Sequence, residues 1–210
     1  TNEFRVGLAF ESPTWYRLND EFTHKLSSAR EKTATISGAP ADETSITVNP
    51  NVTNYYEPYK LQTPSKWTGS IAYVFGKKGL ISVDYAMKDY GNTQFKPEND
   101  TYFKGVNADI NTLLATTSEW RIGGEYKIKA WSLRAGYRFE QSPYKNKVTM
   151  GDLTGYSGGL GYNFGGTKVD LAYSTSQRDT KQGFFDKGFT DGALINTKNN
   201  VFTLTVLFEL

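Results

Sequence analysis

Cysteine is absent from this sequence of 210 residues, and histidine occurs once, at His24. Without cysteine the chain contains no disulfide, thiolate zinc site, iron–sulfur cluster or cysteine nucleophile. A single histidine excludes multi-histidine metal sites, and a Ser–His–Asp triad would have to use His24. No partner constellation for His24 is evident, and a solvated surface histidine is its simplest interpretation. We therefore predict that the protein is not an enzyme and holds neither a metal nor another cofactor.

An excess of charge of one sign is also missing. Lys and Arg number 24 against 22 Asp and Glu, a net charge of +2, and the two signs are interspersed along the chain. A nucleic-acid binder usually carries a basic excess or a basic stripe. We therefore expect no nucleic-acid partner.

Long hydrophobic runs are lacking as well. No run of about 18 apolar residues occurs, so the sequence predicts no transmembrane helix. Yet aromatic residues make up 15% of the chain although all hydrophobic residues total only 38%, and the mean hydropathy is −0.55. Frequent Tyr, Phe, Gly, Thr and Asn favour an all-β chain. This composition fits either a soluble barrel or an outer-membrane barrel, whose strands are apolar on one side only.

Alternation with a period of two predicts the strands and their two faces. The apolar residues Trp120, Ile122 and Tyr126 alternate with charged residues such as Arg121 and Glu125. The same pattern recurs in segments 4–11, 67–75, 81–88, 131–140, 156–164, 168–174 and 202–210. Each predicted strand therefore has one apolar face and one polar face.

Two of these segments contain a proline. The count is eight strands if residues 3–26 and 54–76 each form one long strand. Pro13 and Pro64 interrupt them, and proline cannot donate a hydrogen bond to a ladder, so each requires a bulge or a kink. If the prolines break the strands instead, we expect the extra pieces to form extracellular extensions.

The connections between strands alternate strictly in length. The short ones are 76–79, 129–130 and 165–166, and the long polar ones are about 27–53, 91–116, 143–152 and 178–197. Outer-membrane barrels have short periplasmic turns and long extracellular loops. We therefore predict a transmembrane antiparallel up-and-down β-barrel of about eight strands, in contact with lipid in the outer membrane of a Gram-negative bacterium. A soluble barrel with its apolar face inward is the alternative, which the loop asymmetry disfavours.

The polar face of the predicted barrel carries charges of both signs. Cross-strand ion pairs that fill the interior are the simpler interpretation, because an unpaired buried charge is costly. The functional interpretation is that some cations bind a carboxylate headgroup in the lumen. The candidate ligand-binding residues are Arg121, Lys127, Arg134, Arg138 and, near the rim, Tyr90.

Several segments together resemble the C-terminal part of the FadL/TodX family. Three of the segments that show the resemblance are FRVGLAFESPTWYRLNDEF at 4–22, the segment 61–95, and EWRIGGEYKIKAWSLRAGYRFEQSPYK at 119–145. Segment 61–95 has the order Thr-Pro, Trp, strand, turn and Asp-Tyr strand. The paired strands GYSGGLGYNFG and KVDLAYSTSQ follow. Members of the family are outer-membrane transporters for long-chain fatty acids and other hydrophobic compounds. The resemblance covers nearly all of the chain.

The resemblance implies a 14-stranded barrel plugged by a small N-terminal hatch. In this family, substrate is captured outside, passes to a site in the lumen and leaves sideways through a gap in the wall. The present sequence has strands for only about eight positions, no hatch and no N-terminal Asn-Pro-Ala motif. We therefore expect residues 1–210 to form a single β-barrel domain that is the C-terminal portion of a longer protein, acting as a monomer.

Other functions stay open on the sequence alone. A small structural or adhesive barrel would act through its extracellular loops, at 91–116 or at 178–197 with Phe184, Phe185 and Phe189. An outer-membrane lipase or protease is disfavoured because it would depend on His24. A soluble lipid carrier is the most remote alternative.

Overall fold

The computed structural model describes residues 3–29, 45–183, 188 and 191–208. The strands are β1 Phe4–Glu11, β2 Trp15–Leu18, β3 Glu21–Thr23, β4 Leu26–Ala29, β5 Ser45–Val48, β6 Thr53–Tyr55, β7 Tyr59–Gln62, β8 Lys66–Val74, β9 Gly79–Asp89, β10 Gln94–Lys96, β11 Thr116–Ile128, β12 Trp131–Glu140, β13 Leu153–Asn163, β14 Thr167–Gln182 and β15 Ala193–Phe208. The helices are a 3-10 helix, Tyr90–Asn92, and α1, Thr101–Leu113. Neither of these described helices has the length and apolar character needed to cross a membrane.

The longest strands form one antiparallel sheet. Its eight strands follow the order β1-β8-β9-β11-β12-β13-β14-β15, so each neighbour is the next long strand along the chain. In the described part of the chain, β1 pairs only with β8 and β15 only with β14. The sheet is therefore an open arc of an up-and-down barrel wall. The prediction of an all-β, antiparallel barrel chain of about eight strands is confirmed.

The apolar face of the sheet is not covered by other parts of the protein. Val6, Leu8, Phe202 and Leu204 have exposed fractions between 68% and 77%, and Ala86 is the one buried hydrophobic residue among those described. A soluble sheet of this size would bury such side chains in a core. An outer-membrane barrel instead presents them to lipid.

Aromatic side chains pair near both ends of the strands on this apolar face. Phe10 lies 4.5 Å from Trp67 between ring centroids on the side of the long connections. Trp131 lies 4.6 Å from Tyr162 on the side of the short turns, and Phe164 extends that cluster. Two such belts are typical of side chains at the two membrane–water interfaces.

The segments that contain Pro13 and Pro64 are broken strands. β1 ends at Glu11 and β8 begins at Lys66, so neither 3–26 nor 54–76 is one continuous strand. The pieces between them pair with each other, β2 with β7, β3 with β6 and β4 with β5. Because proline supplies no ladder hydrogen bond, the strands end there and restart beyond it. Of the two possibilities that the sequence left open, a kinked continuous strand or a broken strand with an extension beyond the sheet, the structure has the second.

Two long connections differ from the sequence prediction. The link between β9 and β11 contains α1, whose first turn is capped by the Asp100 carboxylate, which accepts hydrogen bonds from the Tyr102 and Phe103 N–H groups at 2.9 and 3.0 Å. The predicted loop 178–197 is mostly strand, because β14 and β15 remain paired as far as Gln182 and Ala193. Outside the membrane a hairpin needs no apolar face, so the sequence pattern did not mark this extension.

Candidate functional site

Small residues form a continuous band across the polar, concave face of the sheet. In register from β8 to β14 this small-residue band consists of Ala72, Ser82, Gly123, Gly136, Ser157 and Ser174. All except Ala72 line a trough of about 750 Å³. The trough is present because these positions have little or no side chain. At Gly136, for example, a Cβ would lie only 2.6 Å from Ser157 Oγ.

Charged residues lie on both sides of the small-residue band. We call the group toward the short turns the lower cluster. It consists of Glu125, Lys127, Arg134, Lys168 and Asp170. At its centre, Arg134 Nε lies 2.6 Å from Glu125 Oε2 and Arg134 Nη1 lies 2.5 Å from Asp170 Oδ1. Arg134 is therefore held by carboxylates from two other strands.

The group toward the long connections is the upper cluster. It consists of Glu119, Arg121, Arg138, Glu140 and Arg178. Glu119 Oε1 lies 2.5 Å from Arg121 Nη2 and 3.1 Å from Arg138 Nε, so one oxygen serves two guanidinium groups. Glu140 joins Arg138 at 2.8 Å and Arg178 at 3.1 Å, the latter an ionic contact without hydrogen-bond geometry. Three guanidinium groups thus share two carboxylates.

The structure brings some of the predicted site residues together. Arg121 and Arg138 line the trough, and with Tyr90 they also line a second cavity of about 200 Å³ at the upper end. Arg134 lines the trough at the other end. Lys127 faces the same side and lies 3.4 Å from Glu125, but it lines neither cavity. Only Arg121, Arg138 and Tyr90 therefore form one group.

Sequence reasoning missed three residues of the polar face. Lys66 and Glu119 line the second cavity, and Arg178 belongs to the upper cluster. Lys66 and Glu119 each alternate in step with the polar residues of their own strand, so the period-two pattern was sufficient to place them on the polar face. Arg178 lay in a segment predicted as loop, and nothing in the sequence pattern placed it on a strand.

A known protein family matches nearly the whole chain. The family model described as "Outer membrane protein transport protein (OMPP1/FadL/TodX)" matches residues 1–205. The chain belongs to this family. Its location in the outer membrane of a Gram-negative bacterium, expected from the loop asymmetry, is thereby confirmed. The resemblance of the sequence to the FadL/TodX family is confirmed as well.

A solved structure shows the same fold. A crystal structure of a Pseudomonas aeruginosa FadL homologue has a TM-score of 0.55 and 15% identity, and the match covers 100% of this chain and 50% of that chain. A second structure, the CymD monoaromatic hydrocarbon channel, has a TM-score of 0.49 and 16% identity, with coverage of 100% and 48%. The FadL/TodX chain described here thus spans about half the length of each. Among curated proteins, none matches it.

Proposed function

We propose that the protein carries hydrophobic small molecules across the outer membrane, through the lumen of a barrel to which this sheet contributes part of the wall. The observation that carries the proposal is the trough of about 750 Å³ over the small-residue band. A barrel interior filled by large side chains offers no such space. Membership in an outer-membrane transport family also supports a role in transport.

The proposed path passes the upper cluster and reaches the small-residue band, which lies between the two charge clusters. Glycine backbone and small side chains form the floor of the trough, while Leu80 and Val201 add apolar surface to its lining. An apolar molecule in the trough therefore contacts glycine backbone and small side chains in the middle, and charged side chains such as Arg121 and Arg134 only toward the ends. This surface favours weak, non-directional binding, which suits passage better than tight retention does.

Long-chain fatty acids are the substrates that we propose first, and Arg121 is the residue that we expect to contact their carboxylate. Its side chain is 53% exposed and lines the trough. Among the described residues its ion-pair partner is Glu119 alone, which it shares with Arg138. Within the upper cluster three guanidinium groups face two carboxylates, so a ligand carboxylate would complete the charge balance, and Asp84, the ladder partner of Arg121, is the carboxylate that it would compete with.

The other predicted cations are less suited to a ligand. Arg134 already has a carboxylate on each side. A ligand would have to displace one of them and leave it without its partner, which is costly in a partly buried site. We assign Arg134 and Lys127 a structural role in the barrel wall. Arg138 and Tyr90 line the same cavity as Arg121, and we assign them no direct contact with the ligand carboxylate.

Binding of oleate and of toluene to protein purified from the outer membrane in detergent tests this assignment. Arg121→Gln is expected to weaken oleate binding severalfold and to leave toluene binding unchanged. Lys104→Gln, an exposed change on α1, is the matched control. Equal loss of both ligands would contradict the carboxylate contact.

Uptake into vesicles containing the protein tests the path itself. Ser157→Phe places a large ring in the trough and is expected to reduce uptake. Gly158→Phe, the neighbouring position on the opposite face, has open space around its Cβ and should transport normally. Undiminished uptake by Ser157→Phe would place the path elsewhere. Action as a monomer and absence of enzymatic activity belong to the same proposal.

Adhesion through the extracellular side is the second candidate. The extension formed by β2 to β7 exposes aromatic side chains, with Trp15 at 57%, Tyr55 at 74% and Tyr56 at 56%. Phe184, Phe185 and Phe189, which the sequence analysis had singled out, lie outside the described residues. Tyr55→Ser with Tyr56→Ser separates the candidates, because adhesion predicts loss of cell attachment with unchanged uptake.

A further inference from the structure

The lipid-facing side of the sheet has a groove near the short turns. Gly124 on β11 and Ala135 on β12 are direct partners in the ladder and both point to this side. Larger apolar side chains surround them, including Phe75, Ile81 and Tyr126. The resulting groove has a volume of about 640 Å³. In the same register row the small side chains continue to Gly158 on β13, and the large side chains of Tyr173 on β14 and Phe202 on β15 end the row.

Exposed lysines lie at the end of this groove. Lys77 and Lys78 are in the turn between β8 and β9, next to Phe75, and Lys129 is in the turn between β11 and β12. The two turns are adjacent, because the Lys127 N–H donates a hydrogen bond to the Lys78 carbonyl oxygen at 2.6 Å. Residues 75–78, 129–130 and 164–166, which form the short turns, include no acidic residue. The turns at the end of the groove are therefore basic, and one carboxylate, that of Glu3, lies near them and accepts a hydrogen bond from the Tyr73 hydroxyl at 3.4 Å.

We propose that the groove and Lys77, Lys78 and Lys129 form a binding site for one anionic glycerophospholipid of the periplasmic leaflet. An acyl chain lies over Gly124 and Ala135, and the phosphate lies at the lysines. Short turns of an outer-membrane barrel face the periplasm, which places the lysines at the headgroups of that leaflet. Basic side chains at such a surface attract anionic headgroups, and an acyl chain buries apolar surface in the groove.

Two other occupants fit the site less well. A second copy of the chain related by two-fold symmetry would bring the same three lysines toward each other, and like charges repel. A glycolipid of the outer leaflet carries its phosphates on the side of the long connections, far from Lys77 and Lys78. The site is on the lipid-facing side, so it does not depend on the function proposed for the lumen.

Native mass spectrometry of the protein in detergent tests the site, with dioleoyl phosphatidylglycerol and dioleoyl phosphatidylcholine added as probes. Wild-type protein should retain one phosphatidylglycerol molecule in preference to phosphatidylcholine. Lys77→Gln with Lys78→Gln and Lys129→Gln should weaken that retention at least about tenfold. Lys25→Gln with Lys60→Gln and Lys104→Gln, which removes three exposed lysines from the extracellular side, should change nothing.

A second variant tests the groove independently of the charges. Ala135→Leu fills the groove from a position that already carries a Cβ, and should weaken retention of phosphatidylglycerol as well. Gly69→Leu, on the same face where a Cβ meets no atom within 4 Å, is the matched control. Unchanged retention in Ala135→Leu, equal retention of both lipids by the wild type, or a dimer that Ala135→Leu dissociates would overturn the proposal.

Discussion

Arg134 on β12 reaches across β13 to Asp170 on β14, and the two groups meet at 2.5 Å between Nη1 and Oδ1. The strand between them carries glycine where the ion pair passes. A Cβ at Gly159 would lie 3.5 Å from Arg134 Cβ, and one at Gly161 would collide with the Asp170 carboxylate. Gly159 and Gly161 of β13 therefore leave the space in which the Arg134–Asp170 ion pair forms.

Gly161→Val tests this relationship. The added methyl groups displace Asp170 from Arg134 and force neighbouring side chains apart, so we expect a loss of about 1–3 kcal/mol in the free energy of unfolding. Gly158→Val, three residues away on the opposite face, has open space and is the control. Urea unfolding of the protein in lipid vesicles measures both. Equal loss in the two variants would mean that glycine matters only for strand conformation.

Arg134 and Arg121 should differ in their contribution to stability. Arg134→Gln leaves Glu125 and Asp170 facing each other without their shared cation, and we expect a loss of about 2 kcal/mol, reduced from the fully buried case because Arg134 is 32% exposed. Arg121→Gln removes a more exposed group and should cost less than about 1 kcal/mol. The same unfolding measurement compares them, and a larger effect at Arg121 would contradict the division between wall and ligand residues.

The faces of the strands were predictable from the sequence, and the reason is geometric. A strand alternates its side chains with a period of two, so Trp120 and Ile122 were placed on the apolar face and Arg121 and Glu125 on the polar face. Alternation says nothing about position along the barrel axis. For this reason the prediction placed Lys127 on the correct face. It also grouped Lys127 with Arg121, Arg134 and Arg138, although Lys127 does not line the cavities that they line.

Other parts of the fold depend on pairings that the sequence does not show. Thr14 and Thr63 hydrogen-bond at 2.9 Å across 49 residues, and this contact helps to form the extension. Three-residue and four-residue strands such as β3 and β4 are too short for a recognisable alternation. The helix α1 had a detectable signal, because Asp100 precedes it in a favourable N-cap position. It was predicted as loop because the surrounding segment is polar.

Tyr59 gives the extracellular extension a dependence on pH. Its hydroxyl donates a hydrogen bond to Asp20 Oδ2 at 2.9 Å, and this bond raises the pKa of Tyr59 above its usual value. A raised pKa means that the contribution to stability is complete below the ordinary tyrosine pKa and is lost as pH rises through the raised value. The protection factors of the backbone amides in β2 and β7, which are measured relative to the intrinsic base-catalysed exchange rate, should therefore fall at high pH. Asp20→Asn should shift that fall to lower pH, and an unshifted profile would contradict the assignment.

A pair of arginine substitutions on β14 tests which face of the sheet contacts lipid. Leu171 lies on the apolar face with 53% exposure, and Ser174, three residues later, lies in the small-residue band on the opposite face. Leu171→Arg puts a charge into hydrocarbon, which costs about 2–4 kcal/mol at the midplane and less toward the interfaces, so we expect about 1–3 kcal/mol at Leu171, two residues from the row of the belt residue Tyr162. Ser174→Arg puts the same charge beside water and carboxylates, so its cost should be much smaller. Unfolding in vesicles measures the difference, and the reverse order would mean that the apolar face is the interior.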